Sequence, residues 1–151
     1  QRLAQEGADL LIECLPAYLA GELLPHPQPA EGVTLSRRLR KRAAQLDWNH
    51  TTAELCNQVR AFAPEPAAYT FWGRQRIKIL QVSAPLDIKP PIAEPGTVFK
   101  AYTKPAVVTG DGSLVLERLQ MAGKRPMKSA AFLRGRKNFA GAVLTPPEPG
   151  E

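Results

Sequence analysis

The side chains best suited to chemistry in this 151-residue chain are its cations, which fall in dense clusters. Five of the six residues from Arg37 to Arg42 are Lys or Arg; further on, Arg76 and Lys78 flank one isoleucine, and Lys124 and Arg125 are adjacent. Cations grouped this closely repel one another unless an anion lies against them, and both side-chain types bind phosphate. The clusters therefore predict a polyanionic partner.

Charge is unevenly distributed along the chain. Residues 1–31 contain one Lys or Arg against five Asp or Glu, whereas residues 69–137 contain thirteen Lys or Arg against four Asp or Glu. This asymmetry favours nucleic acid as the partner of the basic part, with solvated cationic faces as the alternative. An anionic membrane is the rival polyanion. It would require bulky apolar residues opposite the cations, and around Arg37 only Leu35 and Leu39 qualify.

Patterns typical of catalysis or metal binding are nearly absent from the sequence. His26 and His50 lie 24 residues apart, with no Cys or acid placed to complete a metal-ligand spacing. No Gly-x-Ser-x-Gly occurs, and Asp111, between two glycines, is interpreted as a turn residue. The segment Gly123-Lys124 lacks the first glycine and the Ser or Thr after Lys that a nucleotide P-loop requires. The sequence predicts no catalytic residue and no metal site.

The first structural element is marked by an apolar stripe. Residues at helical spacing predict an amphipathic helix over about residues 2–20: Leu3, Leu10, Leu11, Cys14, Leu15, Tyr18 and Leu19. Three prolines between Gly21 and Gly32 then predict an extended connector. Cys14 and Cys56 each lie in an apolar helical pattern and are interpreted as buried thiols, a usage that fits a reducing cytoplasm. No apolar run reaches the length of a membrane span, and we expect Gln1 to mark a cut rather than a natural start.

A second helix and a set of strands are predicted to follow. Thr51 and Glu54 form the Thr-x-x-Glu capping box of a helix that ends before Pro64. Five short β-type runs then predict a small barrel: residues 69–72, 76–82, 97–102, 106–109 and 114–119. Along residues 76–79 both cations should lie on one face while the isoleucines enter the core. Phe71 and Trp72, beside that face, could stack on bases, with core filling as the alternative.

Two groups of segments carry a family resemblance. Asp47-Trp48, Val59-Arg60-Ala61-Phe62 and Ala67-Ala68-Tyr69 form the first, and the stretches 119–127 and 131–135 form the second. Together they resemble the C-terminal half of methionyl-tRNA formyltransferase, over about residues 2–137. The resemblance implies an α+β fold. It would comprise a small oligonucleotide-binding-like β-barrel with an entry helix and a short C-terminal helix, preceded by a helix left over from an α/β catalytic domain.

The resemblance also implies a division of the chain and an activity. Residues 1–31 would be the remnant of the catalytic domain, 32–50 a basic linker, 51–140 the C-terminal tRNA-binding barrel and 141–151 a Pro-rich tail. The family uses 10-formyltetrahydrofolate to N-formylate methionyl initiator tRNA in translation initiation. Because its catalytic and folate sites lie in the N-terminal domain, we expect this chain to lack the catalytic core, to need no cofactor itself and to be inactive alone. The full-length enzyme is expected to be a cytoplasmic monomer that binds initiator methionyl-tRNA. It is expected to bind neither a membrane nor a metal.

Under this resemblance, tRNA contacts are assigned to nine cations: Arg37, Arg38, Arg40, Lys41 and Arg42 in the linker, and Arg76, Lys78, Lys124 and Arg125 on the barrel. The chain departs from the family at Glu65-Pro66, where an aromatic-proline pair is common, and at Ala131, where an acid is frequent. Ser129 is therefore expected to cap the last helix without a reciprocal acid. Two other functions stay open: a free-standing nucleic-acid-binding module, or part of another formyltetrahydrofolate-dependent formyltransferase or hydrolase.

Overall fold

The computed structural model describes residues 2–35, 40–83 and 92–145. The chain divides into two compact units, residues 1–38 and 39–151. The first unit contains helix α1, Arg2–Leu19. The elements of the second unit are, in chain order, a 3₁₀ helix at Lys41–Ala44, α2 (Thr52–Phe62), β1 (Ala68–Trp72), β2 (Gln75–Ser83), β3 (Val98–Ala101), β4 (Lys104–Val108), β5 (Ser113–Met121), β6 (Met127–Lys128), α3 (Ser129–Gly135), a 3₁₀ helix at Lys137–Phe139 and β7 (Leu144–Thr145).

Helix α1 confirms the helix predicted over about residues 2–20. An i,i+4 ion pair between Arg2 and Glu6, 3.4 Å long, supports its first turns. No residue of α1 is buried, so its apolar stripe lies at the surface, with Leu10 59% exposed. Cys14 of α1 and Cys56 of α2 are free thiols that are half-buried, rather than fully buried as predicted.

The strands form one antiparallel sheet in the order β3-β4-β5-β2-β1-β7, with β6 paired to β5. Residues 141–145 bond to β1 on one side, and to β3 and the residues just before it on the other. Leu144 pairs with Trp72 of β1, while the backbone N–H of Leu144 donates to Gly96 O and that of Gly141 to Val98 O, each at 2.8 Å. The predicted α+β class is confirmed, with two short strands, β6 and β7, beyond the five predicted. The named oligonucleotide-binding form of the barrel stays a prediction.

The β3–β4 connection corrects one predicted strand boundary. The strand predicted over residues 97–102 ends at Ala101, which pairs with Lys104. Tyr102 and Thr103 form the two-residue loop between them, and Tyr102 has φ +55°. A two-residue hairpin loop needs positive φ, which overrides the β preference of tyrosine.

Helix α2 begins as predicted. The Thr51 hydroxyl accepts from the backbone N–H of Glu54 (3.3 Å), and the Glu54 carboxylate accepts from that of Thr51 (2.9 Å). The backbone and side-chain hydrogen bonds from Thr51 hold the pKa of Glu54 below its usual value. Leu55, Val59 and Phe62 are buried on one face of the helix. The predicted capping box and apolar face are both confirmed.

A carboxylate from the β4–β5 turn also holds the start of α2. One oxygen of Asp111 accepts from the backbone N–H of Thr52 (2.7 Å) and from its hydroxyl (2.9 Å). These bonds lower the pKa of Asp111. The turn also approaches the entry to α2 closely, because a Cβ on Gly110 would lie 2.1 Å from the carbonyl oxygen of Asn49. Asp111 is thus the turn residue that the sequence predicted, with the added role of joining two distant segments.

We expect Asp111→Asn to lower the free energy of unfolding more at pH 7 than at pH 3. The ordinary pKa of 3.8 is lowered in the folded chain. The stabilisation is therefore present above about pH 3.8 and is lost as the pH falls through the lower folded pKa. Urea unfolding of the parent and the variant at the two pH values measures the difference. Glu94→Gln, which removes an exposed carboxylate from the same unit, is the control; an equal loss for Asp111→Asn at both pH values would contradict the expectation.

Helix α3 begins differently from the sequence-based expectation. Its N-cap is Lys128, whose side chain makes no capping hydrogen bond. Ser129 is buried, and its hydroxyl donates to the carbonyl oxygen of Leu116 in β5. The prediction that Ser129 caps the helix was wrong, because a buried hydroxyl requires a partner and β5 supplies one. The helix is anchored by burial of Phe132 and Leu133.

Candidate nucleic-acid interface

Three of the predicted linker cations lie just before the chain joins the sheet. Arg37 and Arg38 fall outside the described residues, whereas Arg40, Lys41 and Arg42 are exposed. Directly after them the chain is firmly held. Ala44 is fully buried in a cluster with Phe62 and Tyr69, and the backbone N–H of Leu46 donates to Tyr69 O at 2.8 Å. The predicted linker range 32–50 therefore spans both units, and its second half packs on β1.

The two predicted cations of β2 share one face of the sheet. Ile77 and Ile79 are fully buried while Arg76 and Lys78 are half-buried on the opposite face, which confirms the predicted alternation. The guanidinium carbon of Arg76 lies 3.7 Å from the centroid of the Tyr69 ring, a cation–π contact. Its buried Nε has no hydrogen-bond partner among the described residues. The Tyr69 ring thus orients Arg76 without neutralising it.

Lys78 is placed differently. Its ammonium group lies 3.3 Å from a carboxylate oxygen of Glu65, and the Glu65 side chain is 76% exposed. A pair this exposed holds its cation weakly, since solvent screens the attraction. A phosphate arriving at Lys78 would compete with Glu65. This residue is one of the family departures noted in the sequence.

Tyr69 brings two of the predicted groups together. Its ring carries Arg76 on one side, and it belongs to the buried cluster of Ala44, two residues after Arg42. Phe71, directly opposite Arg76 across the β1–β2 pair, packs edge-on against Tyr69 with ring centroids 5.8 Å apart. The end of the basic segment and the face of β2 that carries Arg76 therefore meet at one aromatic cluster.

Trp72 is half-buried and packs against the core. Its ring lies edge-to-face with Phe139, at a centroid distance of 5.1 Å, and with Phe132 at 6.2 Å. The core-filling alternative of the sequence analysis is confirmed for this residue. Trp72 thus packs against two phenylalanine rings that also contact each other, at a centroid distance of 4.9 Å, and these contacts limit the part of its ring that is free to stack on bases.

Lys124 and Arg125 lie in the turn between β5 and β6. The backbone N–H of Ala122 donates to Arg76 O at 3.2 Å, which places this turn beside the start of β2. Between the turn and α3 is a groove of about 440 Å³. Its lining residues are Met121, Lys124, Arg125, Pro126, Met127, Ala131, Phe132, Gly135 and Arg136.

This groove has a cationic rim and an apolar floor. The three cations are exposed, Met121 and Phe132 are buried beneath them, and no Asp or Glu lines the groove. Arg136 was missed among the predicted site residues. The run Arg134-Gly135-Arg136-Lys137 was visible in the sequence, but only the packing of α3 against the β5–β6 turn shows which member faces the groove.

Other charged groups of the second unit serve structural bonds. Lys104 donates to Glu117 at 2.7 Å, and this bond lowers the pKa of Glu117. Hydrogen bonds from the side chain and backbone of Asn49 lower the pKa of Asp47, and burial raises that of the Cys56 thiol.

Across residues 2–35, 40–83 and 92–145, no cluster of three or more His, Cys, Asp or Glu side chains could hold a metal ion. The helices of these ranges include none long and apolar enough to cross a membrane.

Residues 38–137 match the family model described as formyl transferase, C-terminal domain. The chain belongs to this family. It is 38% identical over 136 residues to the methionyl-tRNA formyltransferase of Streptococcus gordonii and 39% identical to that of Streptococcus pneumoniae. Each match covers 89% of this chain and 42% of the relative, so the chain spans less than half the length of these formyltransferases. The resemblance drawn from the sequence is confirmed.

Solved structures share the fold of this formyl transferase domain. A variant of HypX from Aquifex aeolicus superposes with a TM-score of 0.68 at 18% identity, over 95% of this chain and 25% of HypX. HypX in complex with tetrahydrofolic acid gives a TM-score of 0.67, also at 18% identity. At such identities the likeness concerns the fold, and it agrees with the predicted α+β class.

Proposed function

We propose that this chain is the tRNA-binding C-terminal part of a methionyl-tRNA formyltransferase. It would hold initiator methionyl-tRNA while the enzyme N-formylates it from 10-formyltetrahydrofolate in translation initiation. The proposal includes a cytoplasmic, monomeric full-length enzyme whose catalytic residues and folate site lie in its other domain, so that the 151-residue chain alone is inactive. The names of its relatives support the enzyme class.

One observation carries the tRNA part of this proposal. Cations lie at two places of the second unit that the Ala122–Arg76 backbone hydrogen bond connects. Arg76 is half-buried on the Tyr69 ring, and Lys124, Arg125 and Arg136 are exposed at a groove that no carboxylate lines. Such an arrangement suits a phosphate backbone, because each neutralised phosphate releases condensed counterions. The apolar floor between the cations adds a surface for sugar or base contacts.

Binding to tRNA across a salt series tests the proposal. The chain is titrated with initiator tRNA and an elongator tRNA while formyl transfer is assayed in the same samples. We expect salt-dependent binding that discriminates weakly between the tRNAs, and no formylation. Formyl transfer by this chain would overturn the assignment of chemistry to another domain. Absence of binding to either tRNA would overturn the tRNA-holding role.

We expect Glu65→Gln to raise tRNA affinity by about two- to fivefold at low salt. The substitution frees Lys78 from its 3.3 Å ion pair, and an exposed pair of this kind contributes at most about 1 kcal/mol. The measurement is the dissociation constant at 50 mM and 300 mM salt, at which the gain should shrink through screening. Glu94→Gln removes the same charge elsewhere on the unit. A gain of equal size in that control would assign the effect to net charge rather than to Lys78.

A further inference from the structure

The β3–β4 hairpin ends in an aromatic residue that packing does not explain. Tyr102 is 77% exposed and occupies the first position of the two-residue loop, with φ +55°. Asparagine, aspartate and glycine adopt this conformation far more readily than tyrosine does. Neither the turn geometry nor the core therefore accounts for a large ring here. An exposed ring at the tip of a hairpin has the form of a stacking surface.

Beside this hairpin lies a second cationic cavity, separate from the groove at Lys124. It measures about 580 Å³ and is lined by Lys100, Thr103, Leu133, Arg134, Lys137 and Ala140. Its three cations come from β3, α3 and the 3₁₀ helix after α3, and all three are exposed. None of its lining residues is an acid, and within the described ranges none of the three cations has an ion-pair partner.

Helix α3 alone does not explain these charges. Arg134, in the last turn, is favourably placed for a helix dipole. Lys100 and Lys137 lie outside the helix, however, so the dipole gives no reason for their proximity. Three cations at one cavity repel one another, and an anionic ligand would relieve that repulsion. Cations next to an exposed ring can bind a single-stranded nucleic acid, because its phosphates contact the cations and its planar bases stack on the ring.

We propose that this corner, formed by Lys100, Tyr102, Thr103, Arg134 and Lys137, binds single-stranded RNA. An unpaired base stacks on the ring of Tyr102, and the flanking phosphates accept hydrogen bonds from Lys100, Arg134 and Lys137. The inference rests on the proposed function and deepens it, since tRNA carries unpaired nucleotides at its 3′ end and in its loops. Stacking tolerates any base, so the contact fixes position rather than reading sequence.

The test uses the full 151-residue chain and two probes, a short unstructured RNA oligonucleotide and an RNA duplex of the same length. Tyr102→Asn removes the ring and leaves a residue that tolerates positive φ, whereas Tyr102→Phe keeps the ring. We expect Tyr102→Asn to weaken oligonucleotide binding about tenfold, and Tyr102→Phe to leave it within about twofold. Duplex binding should respond little to either substitution. Urea unfolding confirms that the variants are folded.

The phosphate contacts are tested with Arg134→Gln/Lys137→Gln. The slope of log affinity for the oligonucleotide against log salt concentration should become shallower by about 1.4, since each phosphate contact on a single strand contributes roughly 0.7. The control Arg2→Gln/Arg60→Gln removes two cations from α1 and α2 and should leave the slope unchanged. Unchanged oligonucleotide binding in both corner variants, with tRNA binding retained, would overturn this inference and leave the proposed function standing. Corner-dependent oligonucleotide binding without tRNA binding would support the contact and overturn the proposed function.

Discussion

A chain carrying Lys124→Gln and Arg125→Gln is expected to bind tRNA roughly 60-fold more weakly than the parent at about 0.1 M salt. Each phosphate contact on a duplex contributes a salt slope of about 0.9, which corresponds to roughly eightfold in affinity between 1 M and 0.1 M salt. Both side chains line the groove beside α3, and no acid lines it with them. The affinity factors of the two lost contacts therefore multiply, and the salt slope should fall by about 1.8.

Arg2→Gln/Arg60→Gln is the matched control for this measurement. It removes the same charge from two exposed arginines that lie outside the groove; Arg2 pairs with Glu6 and Arg60 donates to Asn57. We expect the control to change tRNA affinity by less than about threefold. Equal losses in the two double variants would mean that net charge, not the groove, determines binding. An unchanged slope in the Lys124/Arg125 variant would place the tRNA on another surface.

The largest expected effect on stability is that of Phe139→Ala. Phe139 is fully buried, and its ring lies 4.9 Å from that of Phe132 and 5.1 Å from that of Trp72. Removing it deletes two edge-to-face contacts and leaves a cavity between β1 and α3. The free energy of unfolding should fall by about 3–5 kcal/mol.

Urea unfolding followed by tryptophan fluorescence measures this loss. Trp72 contacts Phe139 directly, so its emission should also shift in the folded variant. Ile92→Ala, at a fully exposed side chain, should change stability by less than about 0.5 kcal/mol. A loss below about 1 kcal/mol for Phe139→Ala would mean that neighbouring side chains close the cavity. The three-ring cluster would then contribute little to the fold.

The features that could be predicted from the sequence are those set by neighbours in the chain. The Thr51–Glu54 capping box spans four residues, and the alternation from Arg76 to Ile79 follows from the period of a strand. Both need only local geometry. The class of the fold followed from the same local patterns together with the family segments.

Features that pair distant segments could not be predicted in this way. Asp111 bonds Thr52, 59 positions earlier, and nothing at either residue indicates the other. Ser129 matches a helix cap locally, yet the carbonyl of Leu116 takes its hydroxyl. Arg136 became a groove residue only through the packing of α3 against the β5–β6 turn. In each case a tertiary contact decided between options that the local sequence left equal.

The outer edge of β1 is covered by two segments from opposite ends of the second unit. Gln45 bridges Tyr69 near one end of the strand, and Leu144 pairs with Trp72 at the other, 72 positions further along the chain. During synthesis on a ribosome, β1 and β2 can therefore pair long before the second cover exists. Until residues 144 and 145 leave the exit tunnel, part of that edge offers unpaired backbone groups to any passing strand. The pairing of β7 with β1 thus completes the cover of this edge only late in synthesis.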